Sequence, residues 1–257
     1  MPQVKKRLDV LLVERGLAET RAQAQALVMA GRVKGHAKAG EQVEDSASLE
    51  LAASPRFVSR GGDKLAHALD VLGVDVAGED CLDVGASTGG FTDCLLEAGA
   101  ARVCVLDVGY GQLHPRLRGD SRVTVLERTN VRHLDCDALP FRPGLVTCDV
   151  SFIGLAKALP AALACAAPEW RALALVKPQF EAGPADVGKG GVVRDPAVHR
   201  RVLSELVDAV PAWDSHVVGL TDSGLPGPKG NREFFLYLAT GAGPPAVDDG
   251  DIERIVG

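Results

Sequence analysis

The chain has 257 residues, of which 46% are hydrophobic and 24% charged, a composition typical of a globular protein with a buried core. No apolar run approaches the ~18 residues of a membrane-spanning helix, and no apolar segment follows the charged start MPQVKKRLD, so neither a membrane anchor nor a secretory signal is predicted. We therefore expect a cytoplasmic protein with no membrane partner.

The net charge of −6 is unevenly distributed. Residues 1–40 contain eight Lys and Arg residues against three acidic residues, so this segment is basic and the remainder is strongly acidic. Such asymmetry indicates that the N-terminal part contacts a polyanion while the rest performs another task.

The N-terminal segment is predicted to form two short helices and a small sheet. Residues 7–15 and 21–30 have helical spacing of apolar side chains, with Thr20 as an N-cap and Gly16 and Gly31 as stops. Strand-like pieces follow at 42–44 and 49–51.

From about residue 59 onward, short Val- and Leu-rich runs alternate with helical or loop segments. This alternation is typical of a parallel sheet with crossover helices, so we predict a doubly wound α/β domain. The last two strands, separated by the loop SGLPGPKGN, are expected to pair antiparallel at an edge. The predicted strands are residues 80–84, 102–107, 122–126, 145–149, 172–176, 215–220 and 234–239.

The stretch DVGASTGGFTD at 83–93 is a glycine-rich turn between a strand and a helix. Backbone amides at such a turn bind polar ligands, and Asp107 ends the next strand where an acidic residue takes the ribose of an adenosine cofactor. The turn departs from the spacing G-x-G-x-x-G, which weakens a dinucleotide interpretation and favours S-adenosylmethionine.

Ionisable residues also occur where other strands end or begin. Asp149 ends the fourth strand, Lys177 follows the fifth and Glu233 precedes the last, while Lys64 lies on a helix before the first. Each alone is explained equally well as a turn or a solvated strand end. Their convergence on one crevice is much harder to attribute to chance.

Two other patterns are interpreted as having no catalytic role. GPADVGKG at 183–190 resembles a phosphate-binding loop, but Gly190 replaces the required Ser or Thr and no helix pattern follows. The six cysteines never form C-x-x-C, and His133 with Cys136 is the one local pair of potential ligands, so we expect reduced thiols and no metal site.

The segment RLDVLLVERGLAETRAQAQALVMAGRVKGHA closely resembles the small RNA-binding domain named after ribosomal small-subunit protein four. In that family the two helices dock on structured RNA. The resemblance implies that RNA is bound by Lys6, Arg7, Arg21, Arg32 and Lys34, largely through phosphate contacts that give affinity and little sequence readout.

The motifs SRGGDKL, DVGASTGGFTD, LDVGYGQL, CDVSFI, LVKPQFE and NREFF, in this order, resemble the TlyA family of ribosomal RNA 2′-O-methyltransferases, some of them historically called hemolysins. The resemblance implies an RNA-binding domain at 1–55, a linker at 56–62 and an FtsJ-like, Rossmann-like class I methyltransferase domain at 63–257. It further implies that ribosomal RNA or ribosomal subunits are the partner, with cytidine the favoured nucleoside. The residues matching the catalytic tetrad are Lys64, Asp149, Lys177 and Glu233. Those expected to hold S-adenosylmethionine are Asp83, Gly85, Ser87, Gly89, Gly90, Phe91, Asp107, Val108, Asn130 and Asp149.

Methylation of a ribose requires a base, because the 2′-hydroxyl is a very weak acid. An amine serves only if its pKa is lowered toward neutrality. We assign that role to Lys177, with Lys64 as a second positive charge and the two carboxylates orienting the amines. The Gly-rich stretches 182–191 and 223–230 are expected to flank the RNA entry side as a lid.

Three alternatives remain open at this point. An RNA-binding assembly factor without activity would not need the tetrad, and a membrane-active cytolysin would need an amphipathic or spanning segment that the sequence lacks. A small-molecule methyltransferase would leave the basic N-terminus unexplained.

Overall fold

The computed structural model describes residues 5–29, 31–52, 55–243 and 246–257. The chain forms two compact units, Met1–Pro55 and Arg56–Gly257, each with its own core. The predicted end of the second helix at Ala30 lies outside the described residues.

The first unit contains the two predicted helices, α1 (Leu8–Glu14) and α2 (Arg21–Met29). Strand β1 (Lys5–Arg7) pairs antiparallel with β2 (Gln42–Glu44), and Val33 forms an isolated bridge with Leu51. The i, i+3, i+4 spacing of apolar residues directs one face of each helix inward, which buries Leu8, Leu11, Leu12, Ala24 and Val28.

The second unit is built on a seven-stranded sheet ordered β5-β4-β3-β6-β7-β9-β8. The first five strands in that order are parallel, as predicted, and β9 runs antiparallel to both β7 and β8. The last two strands therefore pair as expected, but β9 lies inside the sheet and β8 at its edge. The strands are β3 (Asp80–Val84), β4 (Arg102–Asp107), β5 (Val123–Glu127), β6 (Leu145–Cys148), β7 (Arg171–Val176), β8 (Ser215–Asp222) and β9 (Phe234–Thr240).

Helices cover both faces of this sheet because successive strand residues point to opposite sides. Cys81 and Val103 face the core that includes α3 (Arg60–Leu72) and α4 (Gly90–Glu97). Leu82 faces the core formed with residues of the remaining long helices. These and the shorter helices are α5 (Pro115–Arg118), α6 (Leu155–Leu163), α7 (Pro178–Glu181), α8 (Pro196–Ala209) and α9 (Asp249–Val256).

Residues 56–62, expected to be a linker, instead pack as part of the second unit. Phe57 is 3% exposed within its core, the Val58 amide donates to Asp93 at 2.8 Å, and α3 already begins at Arg60. These contacts join residues distant in sequence, so local composition gave no sign of them.

The expectation that all six cysteines are reduced is wrong for one pair. Cys136 and Cys165 form a disulfide, while the other four thiols are free and buried. The two partners are 29 residues apart and meet because the short 3₁₀ turn Cys136–Ala138 lies close to the residues that follow α6. A search for short Cys spacings does not detect such a pair.

Within the part of the chain that the structure describes, no helix has the length and apolarity needed to cross a membrane.

Candidate active site

The polar residues predicted from the sequence to form the site lie along one edge of the sheet. The parallel strands β3, β4, β6 and β7 all end there, which places Gly85, Asp107, Asp149 and Lys177 along it. Strand β9 runs the other way, and its first residue pairs with the last residue of β7, so Glu233 precedes β9 at the same edge. The fold thus brings these separate positions together, as ligand sites in α/β sheets require.

The four predicted tetrad side chains form two ion pairs. Lys64 Nζ lies 2.5 Å from Glu233 Oε2, and both side chains are almost fully buried. Lys177 Nζ contacts Asp149 Oδ1 and also donates to the Ser151 hydroxyl at 3.0 Å. Each amine is therefore held in place by a carboxylate, as buried charges require.

All four side chains line one cavity of about 180 Å³. Its other walls come from the glycine-rich turn and the start of α3, including Ser59, Gly61, Gly90 and Phe91. The cavity is small and polar, so it suits the reacting part of a substrate better than a whole nucleotide.

A second, larger cleft of about 440 Å³ adjoins this cavity. Gly85, Ser87 and Asp149 line both spaces, so Asp149 stands at their junction. The cleft also contains the predicted cofactor residues Asp107 and Asn130. Its apolar walls are formed by Val84, Leu106, Val108, Val131, Val150 and Ile153.

The glycine-rich turn is shaped for close approach of backbone to backbone. Gly85 has φ +82°, and a Cβ at this position would lie 2.5 Å from the Asp149 carbonyl oxygen. The Asp107 carboxylate accepts hydrogen bonds from the Ser87 amide at 2.7 Å and from the Gly109 amide at 2.6 Å. These contacts fix the carboxylate at the cleft wall, where its remaining lone pairs can accept from ligand hydroxyls.

These features fit an adenosine cofactor. Asp107 presents a fixed carboxylate for ribose hydroxyls, the apolar walls suit a nucleobase, and the turn offers backbone amides. The cleft volume falls in the range of small-molecule sites, about 300–1,000 Å³.

Four predicted cofactor residues do not line this cleft. Asp83 is fully buried and accepts from the Thr92 hydroxyl at 2.6 Å and the Thr147 hydroxyl at 3.2 Å. Burial raises its pKa to about 7, and the two hydroxyl bonds oppose that shift. Asp83 is therefore placed to support α4 and β6 from beneath the turn. Gly90 and Phe91 line the smaller cavity, and Gly89 packs against Leu117 and Leu113.

The cleft also contains residues that sequence reasoning missed, among them Gln112, Arg132, Ser151 and Phe152. Phe152 is 91% exposed, has φ +66° and lies with its ring centroid 5.1 Å from that of Phe180. A left-handed backbone conformation costs a non-glycine residue about 1–3 kcal/mol, and such residues concentrate at functional sites. Its place in the sequence, three residues after Asp149 and just beyond the end of β6, could have indicated that Phe152 lies at the cleft.

The five predicted RNA-binding residues lie in the first unit, where ion pairs and hydrogen bonds hold them. Arg7 and Arg21 both donate to Asp9, which is fully buried. Hydrogen bonds from Arg7, and then from Gln25 and Arg21, hold the pKa of Asp9 well below its usual range. Of the other three predicted residues, Lys6 pairs with Glu14 and Asp45, Lys34 pairs with Glu50, and Arg32 donates to the Ala52 carbonyl.

The segment resembling a phosphate-binding loop does not lead into a helix. It contains a 3₁₀ turn at Pro184–Asp186 and then a hairpin closed by a bridge between Gly188 and Val192. Among the described residues, no group of His, Cys, Asp and Glu is arranged to hold a metal ion.

Sequence comparison shows that each of the two units matches a known protein family. Residues 57–240 match the model for FtsJ-like methyltransferases, and residues 6–34 match the S4 domain. The first match covers most of the second unit.

Whole-chain relatives agree with these matches. The chain is 48% identical to the 16S/23S rRNA (cytidine-2′-O)-methyltransferase TlyA of Mycobacterium tuberculosis, over 91% of this chain and 90% of the relative. It is 34% identical to the 23S rRNA (cytidine-2′-O)-methyltransferase TlyA of Campylobacter jejuni, over 75% and 74% respectively. A solved structure from Streptococcus thermophilus with a provisional hemolysin name is 40% identical. It has a TM-score of 0.78 and covers 98% of this chain and 94% of that one.

Proposed function

Because the chain belongs to the TlyA family of FtsJ-like methyltransferases, we propose that it methylates the 2′-hydroxyl of a cytidine in ribosomal RNA, using S-adenosylmethionine. The observation that carries this proposal is the cavity holding two Lys–carboxylate pairs beside a cleft suited to an adenosine cofactor. Residues 1–55 would serve as the RNA-binding domain and the unit beginning at Arg56 as the catalytic domain.

The cleft residues would hold the cofactor in a defined orientation. Asp107 would accept from the ribose hydroxyls, Asn130 and the apolar walls would enclose the base, and the turn at Gly85 and Ser87 would lie beside the junction. When bound, S-adenosylmethionine supplies a methyl group on a positively charged sulfur. The acceptor hydroxyl would then occupy the smaller cavity, since Asp149 borders both spaces.

Once it has released its own proton, Lys177 would be the better placed of the two lysines to receive the hydroxyl proton. Its Nζ contacts Asp149, the residue at the junction, and Ser151, which lines the cleft. Lys64 is instead paired with Glu233, which lines the smaller cavity but not the cleft. Lys64 would therefore contribute positive charge beside the developing alkoxide, and Asp149 and Glu233 would hold the amines in position. Alignment of the acceptor with the methyl group would supply much of the rate enhancement.

A direct test is methyl transfer from labelled S-adenosylmethionine to ribosomal RNA, offered both as naked RNA and as assembled subunits. The RNA is then digested to nucleosides. We expect the label in 2′-O-methylcytidine from at least one of these substrates. Label in a base, or none with either substrate while RNA is bound tightly, would favour an assembly factor or a different reaction.

A further inference from the structure

A buried polar side chain outside the tetrad lies two residues before Glu233. Asn231 is 3% exposed, and its side-chain oxygen accepts from the Val193 amide at 3.0 Å while its nitrogen donates to the Gly191 carbonyl at 2.9 Å. Gly191 belongs to the hairpin that the Gly188–Val192 bridge closes, and Val193 follows it directly. One carboxamide thus satisfies a donor and an acceptor of a neighbouring segment, which fixes the orientation of both.

The backbone of Asn231 holds a second segment in place. Its carbonyl accepts from the Gly227 amide at 2.8 Å, and the Glu233 carbonyl accepts from the Ser223 amide at 2.9 Å. The loop 223–230 is therefore tied to the residues on both sides of Arg232. We call Asn231 together with Gly191, Val193 and Gly227 the Asn231 clasp.

The loop that the clasp holds lies directly against the Glu233 carboxylate. A Cβ at Gly227 would lie 2.1 Å from Glu233 Oε1, so the loop backbone contacts that oxygen with no room for a side chain. Among the described residues, Oε1 finds no hydrogen-bond donor, although the other oxygen is bound to Lys64. A buried carboxylate with one free oxygen would readily take up water if the loop moved.

We propose that Asn231 is a positioning residue for Glu233. The clasp ties the loop that lies against the carboxylate to the hairpin, keeps water from Oε1 and so keeps Glu233 directed at Lys64. Attraction between the pair is stronger in this water-poor environment than in a hydrated one. The inference rests on the proposed function, because the Lys64–Glu233 pair matters to the rate only if the tetrad catalyses transfer.

The test compares Asn231→Asp with the wild-type full-length protein. The substitution keeps the size and one acceptor for Val193, but it places an oxygen against the Gly191 carbonyl. We expect kcat for rRNA methylation to fall about 10- to 100-fold, as small misplacements of reacting groups cause. The dissociation constant for S-adenosylmethionine, measured by calorimetry, should change less than about twofold, because Asn231 does not line the cleft.

Ser215→Ala is the matched control. Ser215 is also buried and donates to a backbone carbonyl, that of Val210, but it begins β8 at the opposite end of the sheet. We expect it to lower the melting temperature as much as Asn231→Asp does and to leave kcat unchanged. Equal loss of kcat in both variants would show a general stability effect and overturn the inference.

A double substitution separates positioning from support of the fold. In a Glu233→Gln background, Asn231→Asp should lower kcat no further, since its effect passes through Glu233. A further full loss in that background contradicts the proposal.

Hydrogen exchange distinguishes failure of this inference from failure of the proposed function, because it needs no turnover. Faster exchange in residues 188–193 and 223–230 of Asn231→Asp supports the clasp whatever the acceptor is. Unchanged exchange there refutes it, even if wild-type protein methylates rRNA.

Discussion

At the residue scale, the tetrad is two separate Lys–carboxylate pairs, and the two pairs differ in exposure. The Asp149 side chain is 25% exposed, whereas that of Glu233 is fully buried. Removing Lys64 would therefore leave a buried charge without its partner, at a cost of about 3–5 kcal/mol in the free energy of unfolding. Removing Lys177 leaves a carboxylate that water can still reach.

Lys177→Met is thus the cleaner test of the catalytic base. We expect methylation to fall at least about 100-fold, the usual contribution of a general base, while the dissociation constant for S-adenosylmethionine stays nearly unchanged. Lys157→Met, on the exposed side of α6, is the control and should keep full activity. Turnover near the wild-type rate in Lys177→Met would remove Lys177 from the mechanism.

Asp83 should make stability depend on pH. Its folded pKa of about 7 lies above its ordinary value, so its contribution is fully present in acid and is lost as the pH rises toward and through 7. The loss is at most about 4 kcal/mol, from 1.36 kcal/mol per pKa unit. Urea unfolding between pH 5 and 8 should show wild-type stability declining relative to Asp83→Asn. Parallel pH curves for the two proteins would mean that the carboxyl is not perturbed.

At the element scale, the two helices of the first unit are linked through Asp9 of α1, which accepts hydrogen bonds from Arg21 and Gln25 of α2. Replacing only Arg7 and Arg21 would leave this buried carboxylate without its two guanidinium partners, so weaker RNA binding could then reflect unfolding. The combination Asp9→Asn, Arg7→Gln and Arg21→Gln removes the buried charge together with the two cations.

We expect the triple variant to stay folded and to bind ribosomal RNA more weakly. The slope of log affinity against log salt should become shallower by about 1 to 2, because two phosphate contacts are lost. Asp9→Asn alone is the control and should keep the wild-type slope. An unchanged slope in the triple variant would exclude these two arginines as phosphate contacts.

The disulfide between Cys136 and Cys165 ties the turn after β5 to the end of α6. The same turn region includes Asn130 and Val131 of the cofactor cleft. Titration of the denatured, unreduced protein should find four thiols, and six after reduction. Cys165→Ser should lower the free energy of unfolding by about 3–4 kcal/mol, given the 29-residue separation of the two cysteines. Six thiols before reduction would contradict the pairing.

The sequence predicted those elements whose signals are local. Strands β3 and β4 begin and end where expected, because Val- and Leu-rich runs are bounded there by Asp, Arg and Gly. The burial of Phe57, the cysteine pair and the insertion of β9 between β7 and β8 all depend on contacts between distant segments. No local sequence pattern indicates contacts between segments that are far apart in the chain.

The same distinction applies to the candidate site. Asp107, Asn130 and the tetrad were predicted from their places at strand ends and from family motifs, and the fold does gather them at one edge. Asp83 does not line the cleft because it is still a residue of β3, two positions before Gly85, and its side chain is buried.

At the scale of the whole molecule, the two units match different families. The first unit, whose residues 1–40 carry an excess of Lys and Arg, matches the S4 domain, and the acidic second unit contains the candidate active site. The relatives differ in the RNA named for them, 16S and 23S in one case and 23S in the other. Each subunit should therefore be tested separately as a substrate.

The most direct test maps 2′-O-methylated nucleosides in ribosomal RNA from cells that lack this protein and are complemented with either wild type or Lys177→Met. We predict a 2′-O-methylcytidine that is absent from the deletion strain, restored by wild type and not restored by an equal amount of Lys177→Met. Identical ribosomal RNA in all strains, or restoration by Lys177→Met, would contradict the assignment of this chain as a ribose methyltransferase with Lys177 as its base.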